Sequence, residues 1–409
     1  MLSFDEAQPI FAMAAEPVRE TETVWLGLLT GRVLAQDLAA VTDTPAADRS
    51  AMDGYAVRCE DCHGDACLPV QQVVYAGTRP QALRPGHAIR IYTGGVIPQG
   101  ADAVVAQEDA VESYRGMTCH RPPVAGQHIR RQGEDVRRGE LLLPAGTLIE
   151  AGHIAALASQ GLVQVPVWRL VEVAILTSGD EVAAHDEPRD VYQVHDVNGP
   201  MLESLVQSMG AVVRCHRHVR DDERALHHTL RELAGDADLV LVTGGASVGQ
   251  RDLVAAALAS AGGELLCRGV DMRPGKPVTV GRLRGKPVVC LPGNPAAAYT
   301  TFALLVTPLL RRLQGRSRLF PPVSRVRAAL SGARVPPCDA FWRVGEGGEG
   351  GEGGFPGGQE SVVRVATQQG AAAVSALGQA SGFVRVGPQN TGPLHHVSLP
   401  YYDLHRWLS

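Results

Sequence analysis

Chemistry in this chain concentrates in its glycine-rich loops. The stretch DLVLVTGGASVGQRD, residues 238–252, closes an apolar run on Thr243 and continues through Gly244, Gly245, Ser247 and Gly249 to Asp252. Glycines there permit positive φ and close backbone approach. A helix that follows presents unpaired N–H groups and a positive dipole end. Such a loop either cradles an anion, phosphate first among them, or is a tight turn with nothing bound. It lacks the lysine of a P-loop and the G-x-G-x-x-G spacing of a dinucleotide fold. Asp252 favours the ligand reading in one specific form. A carboxylate beside a phosphate repels it unless a cation intervenes, and magnesium binds one or two carboxylates together with phosphate oxygens.

Other polar residues follow other apolar runs. Asp180 and Glu181 lie in TSGDE, Asp196 in VHDVNG, and Asp221 and Asp222 in RDDER. Taken singly, Asp196 and Asp222 read equally as residues at helix starts. MRPGKP supplies Arg273 and Lys276, and LPGNP (Pro292, Gly293, Asn294, Pro295) supplies another loop. Lys276 and Lys286 are the only lysines against 36 arginines. A lysine kept in so arginine-rich a chain points to a compact ammonium that guanidinium replaces poorly. Both stand in a GKP tripeptide, and for Lys286 turn chemistry is an equal explanation. Further upstream, Asp53 precedes a glycine in SAMDGYAV, Thr93 stands beside two glycines, and Asp135 follows RRQGE. From spacing alone these three are turn residues as readily as site residues.

The elements that must position these groups change character along the chain. Ser3 and Glu6 form a capping box, so a helix is expected from residue 4 to about Ala15. A second helix fits VWLGLLTGRVLAQDL. From Val41 to about residue 136, short β-branched runs alternate with Gly, Pro and Asp turns, which reads as a β-rich unit inserted into a helical segment. From Val171 continuous apolar strands alternate with helices, and Asn198 is expected to cap one of them. This pattern predicts a parallel sheet covered on both faces, with ligands at the carboxyl ends of its strands. After Pro321 and Pro322 the texture turns to short strands, interrupted by GEGGEGGEGGFPGG (345–358), too glycine-rich to bury a core.

Bulk properties exclude several classes. The chain has 409 residues, 45% hydrophobic and 20% charged, with net charge −5. It therefore carries several domains, and it has no overall pull toward nucleic acid or an anionic membrane. No run of about 18 apolar residues predicts a membrane span. The acidic start MLSFDEAQPI does not resemble a leader, so a cytoplasmic protein with reduced thiols is expected. CEDCHGDAC (59–67) contains the C-x-x-C-H of haem attachment, which requires export. A zinc site from Cys59, Cys62 and Cys67 lacks a clear fourth ligand, and a surface loop with free thiols is the simplest reading. His216, His218, His227 and His228 show no metal spacing and are expected on solvated faces.

SAMDGYAV, TGGVIPQGADAVVAQE, GGASVGQRD, MRPGKP and LPGNP occur in the order and spacing of the MoeA family, the molybdopterin molybdenumtransferases, which the chain resembles over nearly its whole length. The resemblance implies a multidomain α/β protein. Residues 1–42 with 137–167 would form a discontinuous helical linker domain, and 43–136 a β-rich inserted domain. Residues 168–320 would form a molybdopterin-binding parallel-sheet domain like that of MogA, and 321–409 a C-terminal β-barrel. It implies a homodimer whose cleft joins the sheet domain of one copy to the insert of its partner. Functional positions would fall on Asp53, Thr93, Asp135, Glu181, Asp221, Asp252, Arg273, Lys276, Pro292 and Pro295. The implied reaction takes molybdate and adenylylated molybdopterin and releases AMP, with Mg2+ placed by Glu181, Asp221 and Asp252. Gly244, Gly245, Ser247, Gly249, Gly293 and Asn294 would hold the cofactor precursor. MogA-type adenylyltransferases and molybdoenzyme chaperones are the implied partners. Two other roles stay open, a MogA-like adenylylation and a non-catalytic scaffold like the gephyrin E domain. The chain departs from the family pattern at Gln250, Asp271, Arg273, Ala297 and Ser381.

Overall fold

The computed structural model describes residues 1–183, 188–244, 253–329, 337–346, 362–366, 368–390 and 395–409. Its largest element is a six-stranded sheet in the order Val212–Val219, Glu172–Ser178, Leu239–Thr243, Lys286–Leu291, Thr279–Leu283, Glu264–Arg268. The first four strands run parallel. The fifth, Thr279–Leu283, runs antiparallel to both its neighbours, which amends the expectation of a wholly parallel sheet. The cause is local: Arg284 and Gly285 both have positive φ, 53° and 79°, and join Leu283 directly to Lys286. Two such residues make a primed turn, whose twist favours an antiparallel hairpin.

Alternation along the central strands covers both faces. Val173, Ile175, Leu239 and Leu241 face Leu202, Val206, Phe302 and Leu309. Ala174, Leu176, Val240 and Val242 face Leu226, Leu230 and Leu233 of the helix Glu223–Asp236. Each such fully buried aliphatic side chain contributes about 1.5–3 kcal/mol. Asp222 caps that helix by accepting from the Ala225 N–H at 2.7 Å, the simpler of its two readings.

The capping box forms as expected, with the Ser3 N–H donating to Glu6 Oε2 at 2.9 Å and the Glu6 N–H to Ser3 Oγ at 3.3 Å. The helix it starts, Phe4–Ala12, buries Phe4 and Phe11 in the core of the large sheet. Phe4 also meets Phe341 edge-on, with ring centroids 4.7 Å apart. The second expected helix is absent. Thr21–Trp25 is a strand paired with Gln164–Trp168, and Leu26–Leu28 is a single 3-10 turn. Val33 and Leu34 then bridge to Leu148 and Val167. Apolar residues spaced for a helix were instead drawn onto a neighbouring strand, where backbone pairing and burial act together.

Between those paired flanks stands a four-stranded sheet in the order Val70–Val74, Ala88–Ile91, Gly54–Val57, Ala103–Ala106, with a hairpin of Ala110–Ser113 and Gly116–Cys119 beside it. At the other end of the chain five strands close into a barrel, because Asp339–Glu346 pairs with both Val362–Val365 and Gly382–Val386. Met272–Arg273 adds to the barrel edge in parallel with Asp339–Ala340. Among the described residues no helix is long and apolar enough to cross a membrane.

Candidate active site

The carboxyl ends of the central strands converge on one cavity of about 750 Å³. Thr243 ends its strand nearly buried, at 2% exposure, and Gly244 turns away at φ 92°. A Cβ on Gly244 would collide with the Ser178 carbonyl, so this glycine permits adjacent strand ends to touch. Gly293 approaches from the Pro292–Pro295 loop, where a Cβ would lie 3.7 Å from the Gly244 Cα. Glu181, Asp196, Asn198, Pro277 and all four residues from Pro292 to Pro295 line the cavity.

Asn198 ties these loops together. Its Nδ2 donates to Thr243 Oγ1 at 2.8 Å and to the Gly293 carbonyl at 2.7 Å. Thr243 Oγ1 donates in turn to the Pro292 carbonyl at 3.2 Å. Asn198 is therefore not the expected helix cap. Val197 holds that position, and Asn198 is the first helical residue, with its side chain turned inward. Asn198 Oδ1 is buried and has no partner among the described residues.

The acids divide into two groups. Glu181 lines the cavity. Asp221 does not line it but accepts at 2.6 Å from the Oγ of Ser178, which does, while its N–H donates to Asp180 Oδ1 at 3.3 Å. Asp252 lies outside the described residues, as do Gly245, Ser247, Gly249 and Gln250. The described donors form no group of three potential metal ligands. Glu181 in the lining and Asp221, linked to the lining through Ser178, are carboxylates of the kind that magnesium takes together with phosphate oxygens. Asp53, Thr93 and Asp135 belong to the other group and do not line this cavity. Asp53 and Thr93 are nonetheless joined. The Thr93 N–H and hydroxyl both donate to Asp53 Oδ1 at 2.7 Å, and these two bonds hold its carboxyl below the ordinary range. Asp135 is exposed, and its N–H donates to the Thr44 carbonyl at 3.1 Å.

Of the two lysines, Lys286 takes the structural role. Its Nζ meets Asp238 Oδ1 at 3.1 Å, and Arg169 grips the same carboxylate with two bonds of 2.6 and 3.0 Å. Arg273, in the strand at the barrel edge, and Lys276, just after it, are exposed and outside the cavity that Pro277 lines.

His216 departs from the expected solvated face, whereas His218 and His228 are exposed as expected. Parallel pairing sets His218 opposite Thr177 and His216 opposite Ile175. Thr177 Oγ1 then lies 3.2 Å from His216 Nε2 and 3.2 Å from His218 Nδ1. His216 is half-buried between two carboxylates, with Nδ1 2.9 Å from Glu203 Oε1 and Nε2 3.2 Å from Asp196 Oδ2. The Asp196 bond, against the cost of burial, raises the His216 pKa above its ordinary value. Burial works to raise Asp196, but the bonds from His216 and the Gly199 N–H hold it below the usual range. No sequence spacing announces this chain, because the contacts join a strand, a loop and a helix. The same holds for the cysteines. Cys62 is buried rather than on a surface loop, and its nearest sulfur belongs to Cys119.

A doubly covered sheet with glycine-built loops at its carboxyl edge and acids on the lip defines a ligand-binding α/β protein of the phosphate-handling kind. Comparison with known proteins narrows that class. The MoeA N-terminal region (domain I and II) matches residues 2–161, and a probable molybdopterin binding domain matches 174–312. A molybdopterin molybdenumtransferase of Nostoc is 39% identical over 330 residues, covering 78% of this chain and 76% of that protein. One from Haemophilus influenzae is 34% identical, covering 79% and 80%. The molybdopterin biosynthesis moeA protein of Pyrococcus horikoshii superposes with a TM-score of 0.82 at 26% identity, covering 98% of this chain and all of that one. The chain belongs to the MoeA family, the molybdopterin molybdenumtransferases, and so to the transferases of molybdenum cofactor biosynthesis.

Proposed function

We propose that the chain transfers molybdenum from molybdate to adenylylated molybdopterin with release of AMP. The observation that carries this reading is the cavity where Asn198 locks the Thr243–Gly244 turn to the Pro292–Pro295 loop, with Glu181 at its lip. Backbone groups at such glycine turns suit phosphate, and the wall of prolines and Thr243 suits a flat ring system. Glu181, Asp221 and Asp252 are the residues to hold Mg2+. When bound, that ion would offset phosphoanhydride charge and polarise the bond to be broken. Asp221 is positioned for this by Ser178 and Asp180. Arg273 and Lys276, exposed beside the barrel edge, attract the molybdate dianion.

The working unit in this reading is a homodimer, built from units 1–42 with 137–167, 43–136, 168–320 and 321–409. Asp53 is held by Thr93 away from its own chain's cavity, and Asp135 is exposed beside the same insert, so both are available to the cavity of a partner copy. The test follows AMP after mixing the chain with adenylylated molybdopterin, with and without molybdate and Mg2+. Glu181→Gln and Asp252→Ala should each remove molybdate-dependent AMP release. Full activity in either variant defeats the assignment, and ATP consumption with free molybdopterin would mark a MogA-type adenylyltransferase instead.

A further inference from the structure

The cysteine loop plays no part in the reaction above. Its C-x-x-C spacing suggests pairing between Cys59 and Cys62, but the fold supplies another partner. After the strand Gly54–Val57, a 3-10 turn over Cys59–Asp61 bends the chain inward, fixed by the Cys59 N–H donating to Asp102 Oδ1 at 2.8 Å. This places Cys62 in the core formed by Tyr55, Leu68 and Met117, at 5% exposure. The strand Gly116–Cys119 is laid against the same core by reciprocal backbone bonds between Leu68 and Met117, of 2.8 and 2.9 Å. Its last residue, Cys119, comes to rest half-buried with its Sγ 3.4 Å from the Sγ of Cys62.

We propose that Cys62 and Cys119 form a reversible dithiol–disulfide pair, a modification site that stitches the turn after the strand Gly54–Val57 to the neighbouring hairpin. The sulfurs need only close from 3.4 Å to the bond length of about 2.05 Å. The two thiols are chemically unequal. Cys119 is the more accessible, and the hydrogen bond shared with Cys62 holds its pKa below the ordinary thiol value. The same bond, with burial, pushes Cys62 up. Cys59, the competing thiol, is pushed up to about 11 by burial and the adjacent Asp102 carboxylate, so little of it is thiolate at neutral pH. Cys119 is thus the attacking group and Cys62 the resolving one.

The oxidant is a small-molecule disulfide. The Cys119 thiolate attacks one of its sulfurs, breaks that S–S bond and releases one thiolate, which takes up a proton. Cys62 then loses its proton to solvent and attacks Cys119 Sγ in the mixed disulfide, releasing the second thiolate. Two electrons pass from the protein thiols to the small disulfide, giving one protein S–S bond and two small thiols.

The test treats the full chain with oxidised glutathione, alkylates remaining thiols, digests without reduction and maps cross-linked peptides by mass. The expected product joins the Cys62 and Cys119 peptides, is two hydrogens lighter than their sum and separates on reduction. Cys119→Ser should lose it, while Cys59→Ser and Cys67→Ser keep it. A Cys59–Cys62 bridge as the main product would overturn the assignment. So would recovery of Cys62 and Cys119 both alkylated from chain that was folded during oxidation.

Discussion

Replacing Asn198 by Ala tests whether the three-way lock organises the site. The substitution removes the donors to Thr243 Oγ1 and to the Gly293 carbonyl, at 2.8 and 2.7 Å. Asn198 is 9% exposed and Thr243 only 2%, so water does not readily replace the bond between them, whereas Gly293 is exposed and its carbonyl can turn to solvent. Thr243 keeps its bond to the Pro292 carbonyl, but the Gly293 carbonyl loses the donor described here. Two neutral bonds are worth about 1 kcal/mol each, so the loss is about 2 kcal/mol. Expressed where phosphate and ring are held in reacting geometry, that loss corresponds to about a 30-fold fall in kcat/KM. Urea unfolding gives the stability change, and molybdate-dependent AMP release, measured well below the unfolding midpoint, gives the kinetic one. A variant that unfolds within about 0.5 kcal/mol of the parent and keeps both kcat and KM would refute the lock.

Three further outcomes follow from the geometry. In the proposed homodimer, Glu181→Gln and Asp53→Asn are each expected to be inactive, yet exchanging subunits between them should restore about a quarter of the parent rate, since half the dimers then carry one intact site; no recovery after verified exchange would show that each chain works alone. The raised pKa of His216 means that its contribution to stability is fully present below the ordinary value of 6.5 and is lost as pH rises through the folded-state value. Urea midpoints of the parent and His216→Gln should therefore converge as pH rises from 6 to 9, and a constant gap would contradict the ion-pair chain. Asp238→Asn leaves the partly exposed Arg169 and Lys286 without their shared carboxylate and should cost about 1–3 kcal/mol in unfolding. Because Asp238 precedes its strand at the edge opposite the cavity, kcat/KM at low temperature should stay near the parent value.

Much of the fold is readable along the chain because it rests on local rules. The capping box at Ser3 and Glu6, the apolar runs 172–178 and 239–243, and the helix capped by Asp222 need only neighbouring residues to be recognised. Failures occur where distant partners compete with local pattern. Val24 to Leu38 carry apolar residues at spacings that suit a helix, but Gln164–Trp168 offers a strand edge that captures Thr21–Trp25. The antiparallel edge of the large sheet turned on Arg284, a non-glycine residue at positive φ that few sequence rules would place there.

The sequence by itself determined the chemistry on offer: glycines where backbones must touch, carboxylates and prolines after buried strands, and motifs that mark the MoeA family. These are properties of residue type and of spacing within a few positions, so no fold is needed to read them. Tertiary structure decided which of those groups meet. It turned Asn198 from a helix cap into a tie between loops and set His216 between Asp196 and Glu203. It paired Lys286 with Asp238, and it gave Cys62 a sulfur neighbour far along the chain. Each of these contacts joins segments separated by many residues, and only the crossing of strands and the burial that forces their side chains together brings such groups within hydrogen-bonding distance.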